Sequence, residues 1–393
     1  MSYLNDILYC LSLVVFIFLA FQSLYLFVFS IAGKVLPARK YPKSEKLASF
    51  AIYIPSYKED AVIVDTVMAA ITLNYPAHKR KVIVIADSLQ PETLAKLRML
   101  PIQLVEVSFE KSTKAKALNE ALRQTESEFD YALVLDADNI CAPDFLLKMN
   151  DAVQTGYRVI QGQRVAKNTD TMFALLDAVS EGINNHIFRK GHCALGLSSA
   201  IIGSGMALEF NLFKEIMPEI TAVGGFDKEM ELRLLRKNIR FGYAEDALIY
   251  DEKTSKKGTF ENQRRRWLSA QHHYMKKYIG DGFLQLLLKG NIDFFDKVMQ
   301  TILLPRILLL GILPVVFILS LVFEPSVQSV YWLLIWAVAY ASILAAVPGK
   351  YYSRQLFKAI LSLPGAFLTM FKLVFKLRNA NKSFIHTPHG EVK

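Results

Sequence analysis

The longest uncharged segment of the chain, Ile7–Ala32, restricts the possible folds more than any other feature. It runs for twenty-six residues without Asp, Glu, Lys or Arg. A helix rises about 1.5 Å per residue, so about 20 apolar residues cross the hydrocarbon core of a bilayer. The segment is longer than the roughly 7–15 apolar residues of a signal peptide, and no basic residue precedes it. It therefore predicts a transmembrane anchor over residues 1–33 and not a cleaved leader.

Basic residues stand on one side of this segment and predict its orientation. Only Asp6 is charged before it, whereas five basic residues follow: Lys34, Arg39, Lys40, Lys43 and Lys46. The positive-inside rule then places the N-terminus outside and a domain of residues 34–280 in the cytoplasm. We expect a multi-pass protein of the cell (inner) membrane.

A second apolar region lies towards the C-terminus, where Lys358, Pro364 and Lys372 interrupt its last part. These interruptions leave too short an uncharged run to span a bilayer comfortably, which favours a helix that lies in the interface or re-enters. In chain order we predict an interfacial helix (281–302), two transmembrane helices (303–349, with spans Ile307–Phe323 and Val330–Pro348), an interfacial or re-entrant helix (350–377) and a cytoplasmic tail (378–393).

The first of these interfacial helices is predicted from an amphipathic pattern. Apolar residues recur at helical spacing at Ile292, Phe295, Val298, Met299 and Ile302. Charged residues occupy the other side, at Asp293, Asp296 and Lys297. Such a helix suits a membrane surface, and an ordinary core helix of the domain is the alternative.

The net charge of +10 raises nucleic-acid binding as a hypothesis. The basic residues, however, concentrate beside apolar segments and not among aromatic stacking positions, so attraction to anionic lipid headgroups explains them better. We expect membrane lipids as partners and no nucleic acid. Three cysteines without a closely spaced pair indicate neither a disulfide framework nor a zinc site.

The middle of the chain alternates apolar strands with helical patterns. Lys81–Ala86 and Tyr131–Leu135 are nearly continuous apolar runs. Strands of this kind are typical of a parallel sheet covered on both faces. The predicted fold class is α/β with a mostly parallel sheet, and binding residues are expected just past the C-terminal ends of the strands.

Polar residues stand at those strand ends. Pro55–Glu59 follows the first strand, Asp87 follows the second, and Asp136-Ala137-Asp138 follows the fourth. Each of them has a simpler explanation as a helix cap. Two carboxylates in one turn also suit a hard cation, since Mg²⁺ or Mn²⁺ binds through few carboxylates together with substrate phosphates.

The order of these motifs resembles that of membrane-bound family 2 glycosyltransferases. The resemblance includes Ile54-Pro55-Ser56-Tyr57, Asp87, Asp136-Ala137-Asp138, Gly225-Phe226-Asp227 and Gln263-Arg264-Arg265-Arg266-Trp267. The last of these matches the Gln-x-x-Arg-Trp signature of processive members such as cellulose, chitin and hyaluronan synthases. The resemblance implies a GT-A (nucleotide-diphospho-sugar transferase) domain that takes a sugar from a nucleotide-sugar, with a UDP-sugar favoured, and inverts the anomeric centre.

The same resemblance implies the donor site, residue by residue. It assigns the loop around base and ribose to Pro55, Tyr57 and Glu59, and the acceptor of the uracil hydrogen bond to Asp87. It assigns the region of the diphosphate to Lys114 and Lys116, for which a solvated basic helix face is the alternative. It further implies that Asp136 contacts ribose and metal and that Asp138 is the direct ligand of Mg²⁺ or Mn²⁺.

The acceptor side follows from the same comparison with the family. The general base corresponds to Asp227, with Glu229 as the alternative, although Gly225-Phe226 replaces the family's Thr-Glu. On a helix, Gln263, Arg266 and Trp267 share one face, which suits a diphosphate and an acceptor sugar. A basic amphipathic helix at the membrane surface, with Arg264 and Arg265 towards lipid, is compatible with that role.

These observations predict an inverting glycosyltransferase that moves a sugar to a growing polysaccharide or glycolipid acceptor at the cytoplasmic membrane face. One alternative is the non-processive transfer of a single sugar to a polyprenyl phosphate or another lipid carrier. A second alternative is a non-catalytic membrane scaffold that keeps the fold. An export or assembly partner is possible, and the sequence does not identify it.

Overall fold

The computed structural model describes residues 2–125, 128–222, 224–253, 257–323 and 327–374. Within them, eight strands form one sheet in the order β3-β2-β1-β4-β7-β6-β8-β5. The strands are β1 (Phe50–Tyr57), β2 (Arg80–Asp87), β3 (Gln103–Val107), β4 (Tyr131–Val134), β5 (Ile140–Cys141), β6 (Val159–Ala166), β7 (Met206–Glu209) and β8 (Phe241–Asp251). The tail predicted over 378–393 lies outside the described residues.

Helices cover both faces of the sheet and continue beyond it. They are α1 (Ser2–Val35), α2 (Ile63–Ile71), α3 (Pro91–Arg98), α4 (Lys114–Arg123), α5 (Phe145–Val153), α6 (Met172–Asn184), α7 (His192–Ala194), α8 (Phe210–Ile216), α9 (Phe226–Arg236), α10 (Lys257–Lys289), α11 (Ile292–Gln300), α12 (Arg306–Phe323), α13 (Val327–Ala346), α14 (Arg354–Ile360) and α15 (Leu363–Val374). A π-helical segment, Asn185–Gly191, joins α6 to α7.

The sheet confirms the predicted α/β class. β1 pairs in parallel with both β2 and β4, and β2 pairs in parallel with β3. β7 runs antiparallel between β4 and β6. Successive residues of β1 enter different cores, with Ile52 packing with α2 and α5, and Tyr53 with α4 and α9. Because β2, β1 and β4 are neighbours, their C-terminal ends meet at one edge of the sheet.

The charged side of α11 is buried against the α/β domain. Asp293 accepts a hydrogen bond from the backbone N–H of Ser198 at 2.6 Å, and Lys297 is completely buried with its Nζ 3.8 Å from a Glu231 oxygen. Ile292 on the apolar side is 58% exposed. The predicted segment 281–302 is also not one element, since α10 continues to Lys289.

Two helical stretches of the described chain are long and apolar enough to cross a membrane, Tyr9–Val35 and Ser329–Ala346. The apolar part of α12, Arg306–Val322, is shorter. Helices α14 and α15 meet at a bend of 45°, the geometry of a broken span or a re-entrant loop. Helix α1 packs against α13. The length and apolar composition of these helices suggest that the chain associates with a membrane.

Candidate active site

The predicted nucleotide loop begins inside the sheet and not after it, because β1 continues through Pro55 to Tyr57 and β2 includes Asp87. Tyr57 is in register with Asp87, and the N–H of Lys58 donates to the Asp87 carbonyl at 3.1 Å. Lys58 (φ 57°) and Ser88 (φ 58°) both have the left-handed backbone that is uncommon for residues other than glycine. Such conformations concentrate where a chain must turn sharply at a binding site.

Polar side chains of this loop point inward. Asp87 is 3% exposed, and its Oδ1 accepts from the Ser88 hydroxyl at 3.0 Å. Glu59 is also buried, and its carbonyl accepts from the first N–H of α2. The Ser56 hydroxyl, between Pro55 and Tyr57, is buried without a hydrogen-bond partner among the described residues. A buried hydroxyl without a partner is costly, so it marks a position where a ligand would be stabilising.

Lys114 connects three parts of the site. Helix α4 begins at this residue because Thr113 caps it, its side chain accepting from the N–H of Lys116. The Nζ of Lys114 donates to an Asp136 carboxylate oxygen and, at 2.7 Å, to the carbonyl of Gly203. The Nζ of Lys116 donates instead to the Lys111 carbonyl at 3.0 Å. The structure thus brings Lys114, and not Lys116, next to Asp136.

The loop at Gly203–Gly205 is held firmly against the end of β4. The N–H of Asp136 donates to the Ser204 hydroxyl at 2.9 Å, and the N–H of Gly205 donates to the Val134 carbonyl at 2.7 Å. The side chain of Gln161 donates to the Ser204 carbonyl at 2.9 Å. A loop with so many fixed contacts can position a carbonyl and a hydroxyl precisely enough to bind a ligand.

We expect Gly205→Ala to unfold at a lower temperature than the wild type. Gly205 has φ 60°, and a Cβ there would lie 1.5 Å from Cδ1 of Ile249. Overpacking of this kind costs about 1–3 kcal/mol. The matched control is Gly196→Ala, where φ is 78° but no atom lies within 4 Å. Thermal unfolding of both variants in detergent separates the clash from the backbone strain, and equal shifts would contradict the clash.

Asp138 fits the role of a metal ligand. Its side chain is buried in a residue only 6% exposed, and it accepts from Asn139 Nδ2 at 3.1 Å and from the N–H of Glu252 at 3.3 Å. The described residues contain no group of three or more His, Cys, Asp or Glu side chains arranged around a metal position. Asp136 and Asp138 are carboxylates, the hard oxygen donors that Mg²⁺ and Mn²⁺ prefer when they also bind phosphate and water.

Asp227 lies beside Gly203, whose carbonyl accepts from the same Lys114 ammonium that contacts Asp136. Helix α9 starts after Gly225, which has φ 73°. A Cβ on Gly203 would lie 3.3 Å from Cβ of Asp227 and 2.9 Å from the Phe226 ring, and the Lys114 ammonium is 5.1 Å from the centre of that ring. Burial raises the pKa of Asp227, which the charges of Lys228 and Lys114 partly oppose.

Glu229 is occupied by other contacts. It is 2% exposed, and its carboxylate accepts from the N–H of Ala222 at 3.0 Å and from Arg233 Nη2 at 2.9 Å. Lys277 on α10 lies 3.4 Å from the same carboxylate. Glu229 thus ties α9 to α10 and to the preceding loop, whereas Asp227 faces Gly203.

The Gln-x-x-Arg-Trp segment of α10 presents two different sides. Arg264 donates to Asp177 on α6 at 2.7 Å and lies 4.4 Å from the Trp267 ring centre, so it does not face lipid as predicted. Ala270 packs 3.2 Å from the position of a Cβ on Gly225, at the start of α9. Gln263 and Arg266 lie on the same face of α10 as Ala270, two turns and one turn before it. Trp267 lies between the face of Ala270 and the face of Arg264, and it is 41% exposed.

A buried ionic cluster that the sequence did not reveal lies beside the site. Arg164 on β6 pairs with Glu181 on α6 at 3.0 Å and with Asp251 on β8 at 3.2 Å. Glu181 also pairs with Arg189, and Lys253 with Asp251. Although burial opposes ionisation, Arg164 and its cationic neighbours hold the pKa of Glu181 well below its usual range. Arg164, Glu181 and Asp251 belong to three different elements, so the sequence alone does not reveal that they meet.

Comparison with known proteins identifies similar sequences. Residues 48–270 match the family described as "Glycosyltransferase like family 2". The catalytic subunit of a UDP-forming cellulose synthase from Pseudomonas fluorescens (strain SBW25) is 28% identical over 132 residues, 32% of this chain. That match spans only 18% of the cellulose synthase subunit.

Two solved structures are reported for comparison. The mannosyltransferase PcManGT from Pyrobaculum calidifontis, in complex with GDP-Man and Mn²⁺, superposes with a TM-score of 0.52 at 17% identity, over 85% of this chain and 96% of that one. TarS of S. aureus, in complex with UDP-GlcNAc, has a TM-score of 0.42 at 14% identity, over 85% of this chain and 91% of that one. The GT-A fold is confirmed, and because the family match covers more than half of the sequence, the chain belongs to glycosyltransferase family 2 and is a glycosyltransferase.

Proposed function

We propose that the protein transfers a sugar from a nucleotide-sugar, with inversion at the anomeric carbon, to a polysaccharide or glycolipid acceptor at the cytoplasmic membrane face. The observation that carries this proposal is that Lys114 contacts both an Asp136 carboxylate oxygen and the Gly203 carbonyl, while Asp227 lies beside the Gly203 backbone. Carboxylates and an ammonium group at the C-terminal edge of a sheet suit a nucleoside diphosphate on one side and an acceptor hydroxyl on the other.

The donor would bind with its nucleoside at the ends of β1 and β2. The inward carboxylate of Asp87 can accept from a base N–H, and the unpartnered Ser56 hydroxyl supports a ligand beside Pro55, Tyr57 and Glu59. A UDP-sugar is the favoured donor, because the related cellulose synthase subunit is UDP-forming.

Asp138 and Asp136 would hold Mg²⁺ or Mn²⁺. When bound, the ion would neutralise the charge that develops on the departing diphosphate. The PcManGT structure contains Mn²⁺ together with its GDP-Man. Lys114 and the N-terminus of α4 would add positive potential beside the same oxygens. The Oε1 of Gln263, buried without a partner among the described residues, supports a further polar contact from α10.

Asp227 would act as the general base. The acceptor hydroxyl oxygen bonds to the anomeric carbon, the bond from that carbon to the diphosphate oxygen breaks with its electron pair, and the hydroxyl proton passes to the Asp227 carboxylate. Desolvation favours this step because the raised pKa makes Asp227 a stronger base than an aspartate in water. Glu229, held by Arg233 and Lys277, would position α9 rather than accept the proton.

Exposed apolar side chains support contact between this part of the protein and a membrane surface. Five large apolar residues at the end of α10 and the start of α11 are exposed: Phe283, Leu284, Leu287, Leu288 and Ile292. Such a group suits the headgroup boundary of a bilayer. Together with the basic residues after α1 it supports an inner-membrane protein with its N-terminus outside and its catalytic domain in the cytoplasm.

A panel of nucleotide-sugars tests this proposal. Full-length protein in vesicles of its native membrane lipids should release nucleoside diphosphate from one donor, and only with Mg²⁺ or Mn²⁺. The labelled product distinguishes the two modes of transfer, since a ladder indicates a polymer and a single organic-soluble species indicates transfer to a lipid carrier. Absence of nucleoside diphosphate release from every donor would contradict the proposal.

A further inference from the structure

A large cavity separates the catalytic domain from the membrane helices. Its volume is about 1340 Å³, and it lies between α6 and α10 on one side and α12 to α15 on the other. Pockets for drug-sized molecules measure roughly 300–1,000 Å³. The cavity is therefore large enough for a long and flexible ligand.

The walls of this cavity are apolar. Leucine, isoleucine, valine, phenylalanine and proline side chains make up most of the lining, for example Leu176, Ile307, Leu310, Val347 and Phe367. A sugar chain would lose hydrogen bonds to water here without replacement, which is unfavourable for each unpaired group. A hydrocarbon chain is instead stabilised by every CH₂ group that it buries. The lining thus favours a lipid chain over a glycan.

One guanidinium group inside the cavity has unused hydrogen-bonding capacity. Arg306 Nη2 donates to the carbonyl and the hydroxyl of Ser180 at 3.1 and 3.0 Å. Its Nη1 is buried and, within the described part of the chain, has no hydrogen-bond partner. Arg264, in the same lining, is paired with Asp177. A buried cationic donor in apolar surroundings is stabilised by an anion, and the guanidinium fork matches a phosphate.

Trp267 places this cavity next to the catalytic end of α10. Its side chain lines the cavity together with Arg264 and Gln271. On the neighbouring face of α10, Ala270 packs against Gly225, which stands two residues before Asp227 at the start of α9. A ligand with its chain in the cavity and its head beyond Trp267 would therefore point towards the proposed base.

We propose that this cavity binds the acceptor, a lipid whose apolar chain fills it, whose phosphate linkage contacts Arg306, and whose hydroxyl-bearing head extends past Trp267 to Asp227. The inference rests on the proposed function and narrows its acceptor from polysaccharide or glycolipid to a lipid. It also assigns a role to Arg306 and to the bent pair of helices α14 and α15, which form one wall of the cavity.

A tryptophan that fills the cavity tests the site of binding. Ala366 on α15 lines the cavity, whereas Leu368 on the same helix is 56% exposed and does not. Native mass spectrometry of full-length protein with phosphatidylglycerol should show binding weakened about tenfold or more in Ala366→Trp, and unchanged within about twofold in Leu368→Trp. Equal binding by the two variants would overturn the site.

Arg306→Gln tests the phosphate contact. It should weaken binding of phosphatidylglycerol about tenfold and leave that of uncharged diacylglycerol unchanged. Lys350→Gln, in the loop before α14 and outside the lining, is the matched control. Equal losses for both lipids in Arg306→Gln would overturn the phosphate contact, and competition by inorganic phosphate alone would show an anion site without a lipid.

Transfer itself tests whether the bound lipid is the acceptor. With labelled UDP-sugar and vesicles of the native membrane lipids, wild type and Leu368→Trp should place label in the organic phase, and Ala366→Trp should lose it. Binding of UDP to Ala366→Trp should remain normal. If the product were water-soluble and its amount were unchanged in Ala366→Trp, the assignment of the lipid as acceptor would be overturned. If the wild type neither bound UDP nor turned over the donor, the proposed function itself would be contradicted.

Discussion

Asp227→Asn is expected to lower the rate of sugar transfer by about 10²–10⁴-fold, the usual contribution of a general base. The amide keeps the size of the side chain but cannot accept the proton of the acceptor hydroxyl. Donor binding should persist, because the proposed contacts to the donor come from Asp87, Lys114, Asp136 and Asp138 and not from Asp227. Release of nucleoside diphosphate at saturating acceptor and binding of the donor by calorimetry provide the two measurements.

Two controls separate chemistry from folding in this experiment. Asp246→Asn changes an exposed aspartate of β8 and should leave the rate unchanged. Glu229→Gln should instead lower the thermal unfolding temperature, because it weakens the buried contacts to Arg233 and Lys277. If Asp227→Asn retained full activity while Glu229→Gln lost it with an intact fold, the two assignments would have to be exchanged.

The pH profile of the wild type provides an independent check of the same base. Because burial raises the pKa of Asp227, the carboxylate is protonated, and inactive as a base, up to a higher pH than an ordinary aspartate of about 3.9. The acidic limb of kcat/KM should therefore lie above that value and disappear in Asp227→Asn, whose residual rate should be independent of pH in this range.

Asp138→Ala is expected to weaken metal-dependent donor binding by about 100-fold or more, since loss of a residue that merely supports a metal ligand already costs roughly 10–100-fold. Asp138 and Asp136 would supply the protein's carboxylates to the ion, so few other oxygens can compensate. Titration of Mn²⁺ with UDP, followed by electron paramagnetic resonance or calorimetry, measures the effect directly.

The control for this variant is Asp65→Ala, an exposed aspartate on α2. It should bind Mn²⁺ and UDP like the wild type. The remaining UDP affinity of Asp138→Ala should no longer change when a chelator is added. Unchanged Mn²⁺ affinity in folded Asp138→Ala would show that the metal, if bound, is held elsewhere.

Much of the donor side follows from local sequence because strand ends in a parallel sheet converge by rule. Continuous apolar strands predicted the parallel sheet. In the structure, Tyr57 of β1 pairs with Asp87 of β2, and β4, the strand that precedes Asp136, is the other neighbour of β1. Local sequence could not show which of the two lysines, Lys114 or Lys116, contacts Asp136. Both begin the same helix, and only the position of the Gly203 loop determines which ammonium reaches Asp136.

The amphipathic pattern of α11 shows the opposite case. Its charged side was expected to face water or lipid headgroups, yet Asp293, Asp296 and Lys297 are buried. Helical periodicity reports two faces but not which of them packs inward. Here buried partners from other elements compensate the charges, including the Ser198 N–H and the Tyr25 hydroxyl, which donates to Asp296 at 2.6 Å.

By itself, the sequence determined the α/β class, the strand ends that carry Asp87, Asp136 and Asp138, and the apolar helices at both ends, because each depends on residues close together in the chain. Only the tertiary structure decided which groups meet across long separations. Lys114 contacts Gly203, Arg264 pairs with Asp177, and Trp267 and Arg306 line the same cavity. Such pairings depend on how whole elements pack, and a charge in the sequence gives no indication of its distant partner.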